Sequence, residues 1–214
     1  MSPRKSAPGR LHAEQRRRQL LEAALDLFSR KGFKGTTTKE IAAAAGVTEA
    51  IVFRHFASKQ ALYQAVLDHC HESAEMQEWL AKAKACIDRN DDQGLLRAIA
   101  LKILQDYRRD ARFERVLLFA ALEGHEHGLA HHRQISIPLY ELLCQYIARR
   151  QAEGKLAPYE SGMILVAIAG MATHFATVTQ MFGFACPLPD DQVADIFTSI
   201  MMNGIQPKKE QVQP

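Results

Sequence analysis

Apolar positions recur at three- and four-residue spacing along almost the whole chain. Glycine, proline and Asp/Asn clusters separate the runs, so the pattern is one of helices. Leu20, Ala24, Leu27 and Phe28 predict a first helix from Ala13 to Lys31. Gly32 closes it, with Arg30 and Lys31 placed on its negative end. Thr37-x-x-Glu40 has capping-box spacing, and Ile41 and Ala45 give the short second helix an apolar stripe. Gly46 supplies a left-handed turn, Val47 drops into the core, and Thr48 is placed to cap a third helix. Ser58 caps a fourth helix that starts at Lys59 and carries Leu62, Val66 and Cys70 on one face. Further helices are predicted at 74–87, 92–108, 110–123, 129–153, 158–182 and 190–203, with breaks at RNDDQG, Asp110, Gly124, Gly128, EGKLAP and FGFACPLPDD. Strand-forming residues gather mainly in Val47–Phe56, so the fold class is all-α.

Charge divides the chain. Residues 1–60 carry 12 Lys/Arg against 5 Asp/Glu, a net +7, whereas residues 61–214 carry 15 against 19, a net −4. A basic N-terminal module on an acidic body points to a polyanionic partner. The expected organisation is a disordered basic arm (1–12), a basic module of short helices (13–60), a larger helical domain (61–205) and a tail (206–214). No apolar segment follows the basic N-terminal residues, and the longest apolar run, Met163–Ala172, spans ten residues. A cytoplasmic protein without a membrane span is therefore expected, nucleoid-associated when bound to DNA.

Four cysteines, Cys70, Cys86, Cys144 and Cys186, form no C-x-x-C pair and read as reduced, mostly packed thiols. In HEHGLAHH, His127 and His131 stand four apart, but Gly128 is expected to interrupt a helix and no third ligand has a recognised spacing. Solvated or capping histidines are expected there, and no metal. Paired Glu-x-x-His motifs, a P-loop and a G-x-S-x-G elbow are all missing, so neither an enzyme nor a cofactor is expected.

Two short helices joined by a tight turn have the grammar of a major-groove reader, in which the second helix presents its N-terminal residues to the base edges. Val47, Val52 and Phe56 are assigned inward, Glu49, Ala50, Phe53 and Arg54 outward, and Ile51 and His55 to the flanks. GFKGTTTKEIAAAAGV (Gly32–Val47) followed by VFRHFASKQALYQAVL (Val52–Leu67) resembles the tetracycline-repressor (TetR/AcrR-like) family of regulators. The close likeness covers roughly residues 14–67. It implies phosphate contacts from Thr37, Thr38, His55 and Lys59, and approach to bases or sugars by Lys39, Glu49, Ala50, Ile51, Phe53 and Arg54, with Thr48 beside them. Arg54 or Lys39 can donate to guanine, Glu49 can accept from cytosine N4, and Ala50 or Ile51 can meet a thymine methyl. Phe53 stands where the family usually has tyrosine, which removes a phenolic contact to phosphate.

The resemblance further implies a ligand-responsive regulator, expected to be a repressor, that binds double-stranded operator DNA as a homodimer and is released by a small, largely apolar effector. Small and apolar residues in the last two long helices, Ile164, Ala167, Ile168, Gly170, Phe197, Ile200 and Met201, are the candidate dimer interface. Trp79, Phe113, Leu117, Met171, His174, Phe175 and Met181 are the candidate effector lining.

Overall fold

The computed structural model describes residues 8–205, with side chains from His12 onward. The expected arm up to residue 7 and the tail 206–214 lie outside the described residues. The described residues form ten α-helices: α1 (Pro8–Lys31), α2 (Thr38–Ala44), α3 (Glu49–His55), α4 (Lys59–His71), α5 (Ala74–Asp88), α6 (Asp92–Asp110), α7 (Arg112–Glu123), α8 (Glu126–Ala152), α9 (Ser161–Ala176) and α10 (Asp190–Ile205). A π-helical turn, Thr177–Met181, follows α9.

Two compact units divide the chain, one holding residues up to Ser73 with Arg112–Arg133, the other Ala74–Ala111 with the residues from Gln134 on. The first contains α1–α4, α7 and the start of α8. Helices of seven residues such as α2 and α3 cannot persist alone in water, so their stability comes from capping and packing. Leu20, Leu21, Ala24, Leu25 and Phe28 of α1 meet Ile41, Ala42 and Ala45, then Val52 and Phe56, in one buried cluster. Leu62, Tyr63, Val66 and Leu67 of α4 and Val116 of α7 complete that cluster. This is why the unit extends beyond residue 60, where the sequence placed its boundary.

In the second unit α6 is central, packed against α5, α9 and α10. Leu95, Leu96, Ile99, Ala100 and Leu104 meet Leu143 and Ile147 of α8, Ile164, Leu165, Ile168 and Ala172 of α9, and Val193 and Ala194 of α10. One ion pair anchors α8 to the start of α6. Arg150 donates to both carboxylate oxygens of Asp92, at 2.8 and 3.0 Å, and the Tyr146 hydroxyl donates to the same carboxylate at 2.5 Å.

Among the boundaries that differ from those expected, three have a local cause. Helix α1 starts at Pro8, a residue suited to a first turn because its missing N–H has no partner there to lose. Helix α8 starts at Glu126 and runs through Gly128 instead of breaking at it. A Cβ on Gly128 would lie 2.7 Å from the His125 ring and from Tyr63, so close packing explains that glycine. The predicted 158–182 helix ends as α at Ala176 and closes through the π turn, with Gly183 in the left-handed region at φ 76°.

Candidate nucleic-acid interface

Each helix of the reading head is started by a local signal. Thr37 caps α2: its hydroxyl accepts from Glu40 N at 3.2 Å and donates to Glu40 Oε2 at 2.9 Å, and its own N–H donates to that carboxylate at 2.8 Å. Gly46, at φ 63°, turns the chain between α2 and α3, and no atom lies near enough to exclude a side chain, so backbone conformation alone calls for glycine. Thr48 stands at the N-cap of α3 without a side-chain cap bond, which corrects its expected capping role. Ser58 accepts from Ala61 N at 3.0 Å and starts α4, as expected.

The outward set of α3 lies where the period put it except for Glu49, which is half-buried. Val52 and Phe56 are buried, Val47 is half-buried, and Ala50, Phe53 and Arg54 are exposed together with Thr48 and Lys39, while Glu49, Ile51 and His55 lie half-buried at the edges. Thr38 donates its hydroxyl to Glu49 Oε1 at 2.5 Å, tying the first residue of α2 to the first of α3. Arg16, Arg54, His12, Gln15, Gln19, Val47 and Ile51 line a groove of about 480 Å³ between α1 and α3. Arg17 lies over the Phe56 ring at 4.8 Å. Burial, then the charges of Arg54, Arg17 and Arg16, lower the His55 pKa. The contributions of Arg16 and Arg17 were missed by sequence reasoning. The run Arg16-Arg17-Arg18 on the polar face of α1 was the available signal.

Three residues expected at phosphates have partners within the chain. Thr37 uses its hydroxyl in the cap, and the Thr38 proton is given to Glu49. Lys59 turns inward: Nζ donates to Phe33 O at 2.7 Å and Thr36 O at 2.9 Å and sits 4.1 Å over the Phe33 ring. Burial lowers the Lys59 pKa, against the opposing attraction of Glu123. Lys59 therefore braces the loop between α1 and α2.

That loop is gripped from α7 as well. The N–H groups of Phe33 and Lys34 donate to the Glu123 carboxylate at 3.0 and 3.2 Å, and Lys34 Nζ donates to Glu123 O at 2.8 Å. His125 stacks on Phe33 at 4.0 Å and donates from Nε2 to Gln60 Oε1 at 3.0 Å. Where solvated or capping histidines were expected, His125 is packed, His131 and His132 are half-buried, and His127 is exposed. His131 donates to Asp68 at 2.7 Å, and His132 lies 3.3 Å from His71, with burial first among the causes that push its pKa down to about 4.

Glu40 provides a pH signature for the head. Hydrogen bonds from Lys31 first, then from Thr37, hold its carboxyl at a pKa of about 2 against an ordinary 4.5. A depressed folded-state pKa contributes stability that is present above the unfolded value and lost as pH falls toward the folded one. Glu40→Gln is therefore expected to flatten the acid-induced loss of stability between about pH 4.5 and 2, followed by circular dichroism of thermal unfolding.

Elsewhere the candidates separate. Phe113 and Leu117 pack with the first unit, whereas Trp79, Met171, Phe175 and Met181 pack against the core of the second. His174 is exposed on α9. The seven residues are thus split between the two units. The second unit instead has a groove of about 800 Å³ between α5 and α6, floored by Trp79, Cys86, Ala98 and Leu101. Of the interface candidates, Ile164 and Ile168 are buried in the unit's own core and are corrected to core residues. Ala167, Gly170 and Ile200 face outward, and Phe197 and Met201 are half-buried.

A capped helix-turn-helix with an outward basic face, carried on a helical body, is the arrangement of a DNA-binding regulator. Residues 20–66 match the family model for bacterial regulatory proteins of the tetR family. The chain is 31% identical over 167 residues to the HTH-type transcriptional regulator RutR of Escherichia coli (strain K12), covering 75% of this chain and 74% of that one. It belongs to the TetR family, whose members are transcriptional regulators and not enzymes. It is also 36% identical over 104 residues to the HTH-type transcriptional regulator TtgR of Pseudomonas putida, an alignment spanning 49% of this chain and about half the length, 48%, of that relative. The fold resembles that of AibR in complex with isovaleryl coenzyme A and operator DNA, with a TM-score of 0.65 and 21% identity over 86% of this chain and 97% of the other.

Proposed function

We propose that this chain is a ligand-responsive, sequence-specific transcription regulator, acting as a repressor that a small effector releases from a palindromic operator in the cytoplasm, where the operator-bound protein is nucleoid-associated. The observation that carries the DNA-binding part is the outward set Lys39, Glu49, Ala50, Phe53 and Arg54 beside the Arg16–Arg54 groove. Base edges are read by that set, and phosphates are met by Arg16 and Arg17 of α1. Arg54→Ala is expected to lower operator affinity roughly 10- to 100-fold and to relax preference at one base pair, measured by fluorescence anisotropy with a labelled duplex. Lys59→Ala is expected to lower thermal stability while leaving the salt slope of binding unchanged, because its charge faces the Phe33 loop. Equal affinity of the wild type for operator and random duplex at physiological salt would overturn the reading.

Two copies would supply the two heads. Met163 and Val166 of α9 and Ile196 and Ile200 of α10 are 56, 53, 45 and 57% exposed, and Ala167 and Gly170 between them allow close helix approach. Ser161–Met181 is long and apolar enough to cross a membrane, with a mean hydropathy of 1.6 and only a third of it buried within the chain. A second copy of α9 and α10 covers such a face in a water-borne regulator. Sedimentation of wild type and Val166→Glu tests this: a wild-type monomer at micromolar concentration would exclude the dimer.

The effector is assigned to the α5/α6 groove. Its size suits a small molecule, its floor is apolar, and its rim sets Lys82, Arg89, Arg97, Lys102 and Arg109 against Glu75, Glu78 and Asp106. A ligand with an apolar body and an anionic end fits that lining. Trp79 is the only tryptophan in the chain and its Nε1 donates to Ala98 O at 2.9 Å, so its fluorescence reports occupancy directly. A ligand that quenches Trp79 without changing operator affinity would separate binding from regulation.

A further inference from the structure

We infer that Thr38 is a positioning residue for base readout: its hydroxyl holds the Glu49 carboxylate as a fixed acceptor that selects an amino-bearing base, cytosine, in the major groove. This rests on the reading of α3 as the recognition helix. Thr38 and Glu49 are the first residues of their helices, eleven positions apart in sequence, and their side chains meet at 2.5 Å across the turn. A threonine hydroxyl has one proton and an ionised carboxylate has none, so the direction of the bond is settled: Thr38 donates and Glu49 accepts. Two consequences follow. The Thr38 proton is not available to a phosphate oxygen, and Glu49 Oε1 is held while Oε2 keeps its lone pairs for an outside donor.

An acceptor held in this way discriminates by what it rejects. Cytosine offers an N4 amino group to the major groove. Thymine offers O4 and guanine offers O6 and N7, all acceptors that an anionic oxygen repels, and adenine places acceptor N7 beside its amino group. A glutamate on a flexible stem can swing away from an acceptor and so tolerate the wrong base. The Thr38 bond removes that escape and lowers the conformational entropy to be lost when the contact forms. Both side chains are half-buried, which places the pair at the edge of the surface that α3 presents, within reach of a base.

The test uses the full chain and an operator selected by the wild type from random duplexes, then titrated with every single-base-pair variant of that operator. Thr38→Val, nearly the same shape without the proton, is expected to lose discrimination at one symmetry-related C·G pair, from roughly 10-fold or more to within about 2-fold, and to keep its preferences elsewhere. Thr38→Ser restores the hydroxyl and is expected to behave as wild type. Glu49→Gln is expected to relax the same base pair, and Thr38→Val added to it to relax that pair no further. Because Glu49→Gln leaves Thr38 in place, it locates the base pair even if Thr38→Val folds poorly, and Thr38→Ser then shows whether the hydroxyl suffices. A uniform loss of affinity for all sequences with Thr38→Val would make Thr38 a phosphate contact or a structural staple and overturn the inference alone. Relaxation at a different base pair with Glu49→Gln would overturn it too. A wild type that selects no sequence overturns the reading of α3, and the inference with it.

Discussion

Arg150→Met is expected to lower the unfolding free energy by about 3 kcal/mol, because removing one partner of a buried pair leaves the other charge uncompensated. The Arg150 and Asp92 side chains are only 10 and 12% exposed, and the guanidinium meets both oxygens of the carboxylate. In a chain of this size such a loss corresponds to a fall of roughly 6–12 °C in the melting temperature of the second unit. The remaining Asp92 would keep the Tyr146 hydroxyl, a neutral donor that offsets part of the cost. Asp92→Asn combined with Arg150→Met is expected to recover much of the stability, since neither charge is then left behind. Urea unfolding of the two single variants and the double variant measures the coupling. Strict additivity would show that the pair is solvated enough to be unimportant.

Such a pair joins residues 58 positions apart, and no periodic or capping signal announces it. The contrast with the caps explains how far the sequence could be read. Thr37 with Glu40 and Ser58 with Ala61 complete their bonds within one helical turn, so three-residue spacing is sufficient to find them. Apolar spacing placed the helices from α4 to α10 within a few residues for the same local reason. Lys59 and Thr38 were legible only as a basic and a hydroxyl residue near a reading head. Their partners, Phe33 and Thr36 for one and Glu49 for the other, depend on how loops and helices meet. Ile164 and Ile168 show a different limit. Helix α9 is apolar around most of its circumference, so the sequence gives no phase to tell the face that packs inward from the one bearing Met163, Val166 and Gly170. That Phe113 and Leu117 belong with the first unit is a matter of chain topology that periodicity does not encode.

Gly32→Ala is expected to cost about 3 kcal/mol, from two sources that reinforce each other. Gly32 lies at φ 71°, a left-handed conformation that costs a side-chain-bearing residue roughly 1–2 kcal/mol. A Cβ there would stand 2.1 Å from Glu123 Oε1 and 2.8 Å from its Cδ, so the carboxylate must leave. Leaving it removes the acceptor shared by Phe33 N and Lys34 N, hydrogen bonds of the charge-assisted kind worth about 1.5–3 kcal/mol. The glycine and the glutamate thus form one device: a left-handed turn aims two successive N–H groups at a carboxylate presented by the last residue of α7. That device holds the loop from which α2 begins, so operator affinity is expected to fall with the stability of the head. Glu123→Ala alone is expected to cost about 2 kcal/mol, the value of the lost acceptor. In the double variant the alanine methyl no longer meets a carboxylate, so the combined cost is expected to fall short of the sum by about 1.5 kcal/mol. Urea unfolding of the four proteins measures that shortfall. If the two substitutions add independently, Glu123 does not occupy the turn in solution, and the grip of α7 on the reading head is not made through this carboxylate.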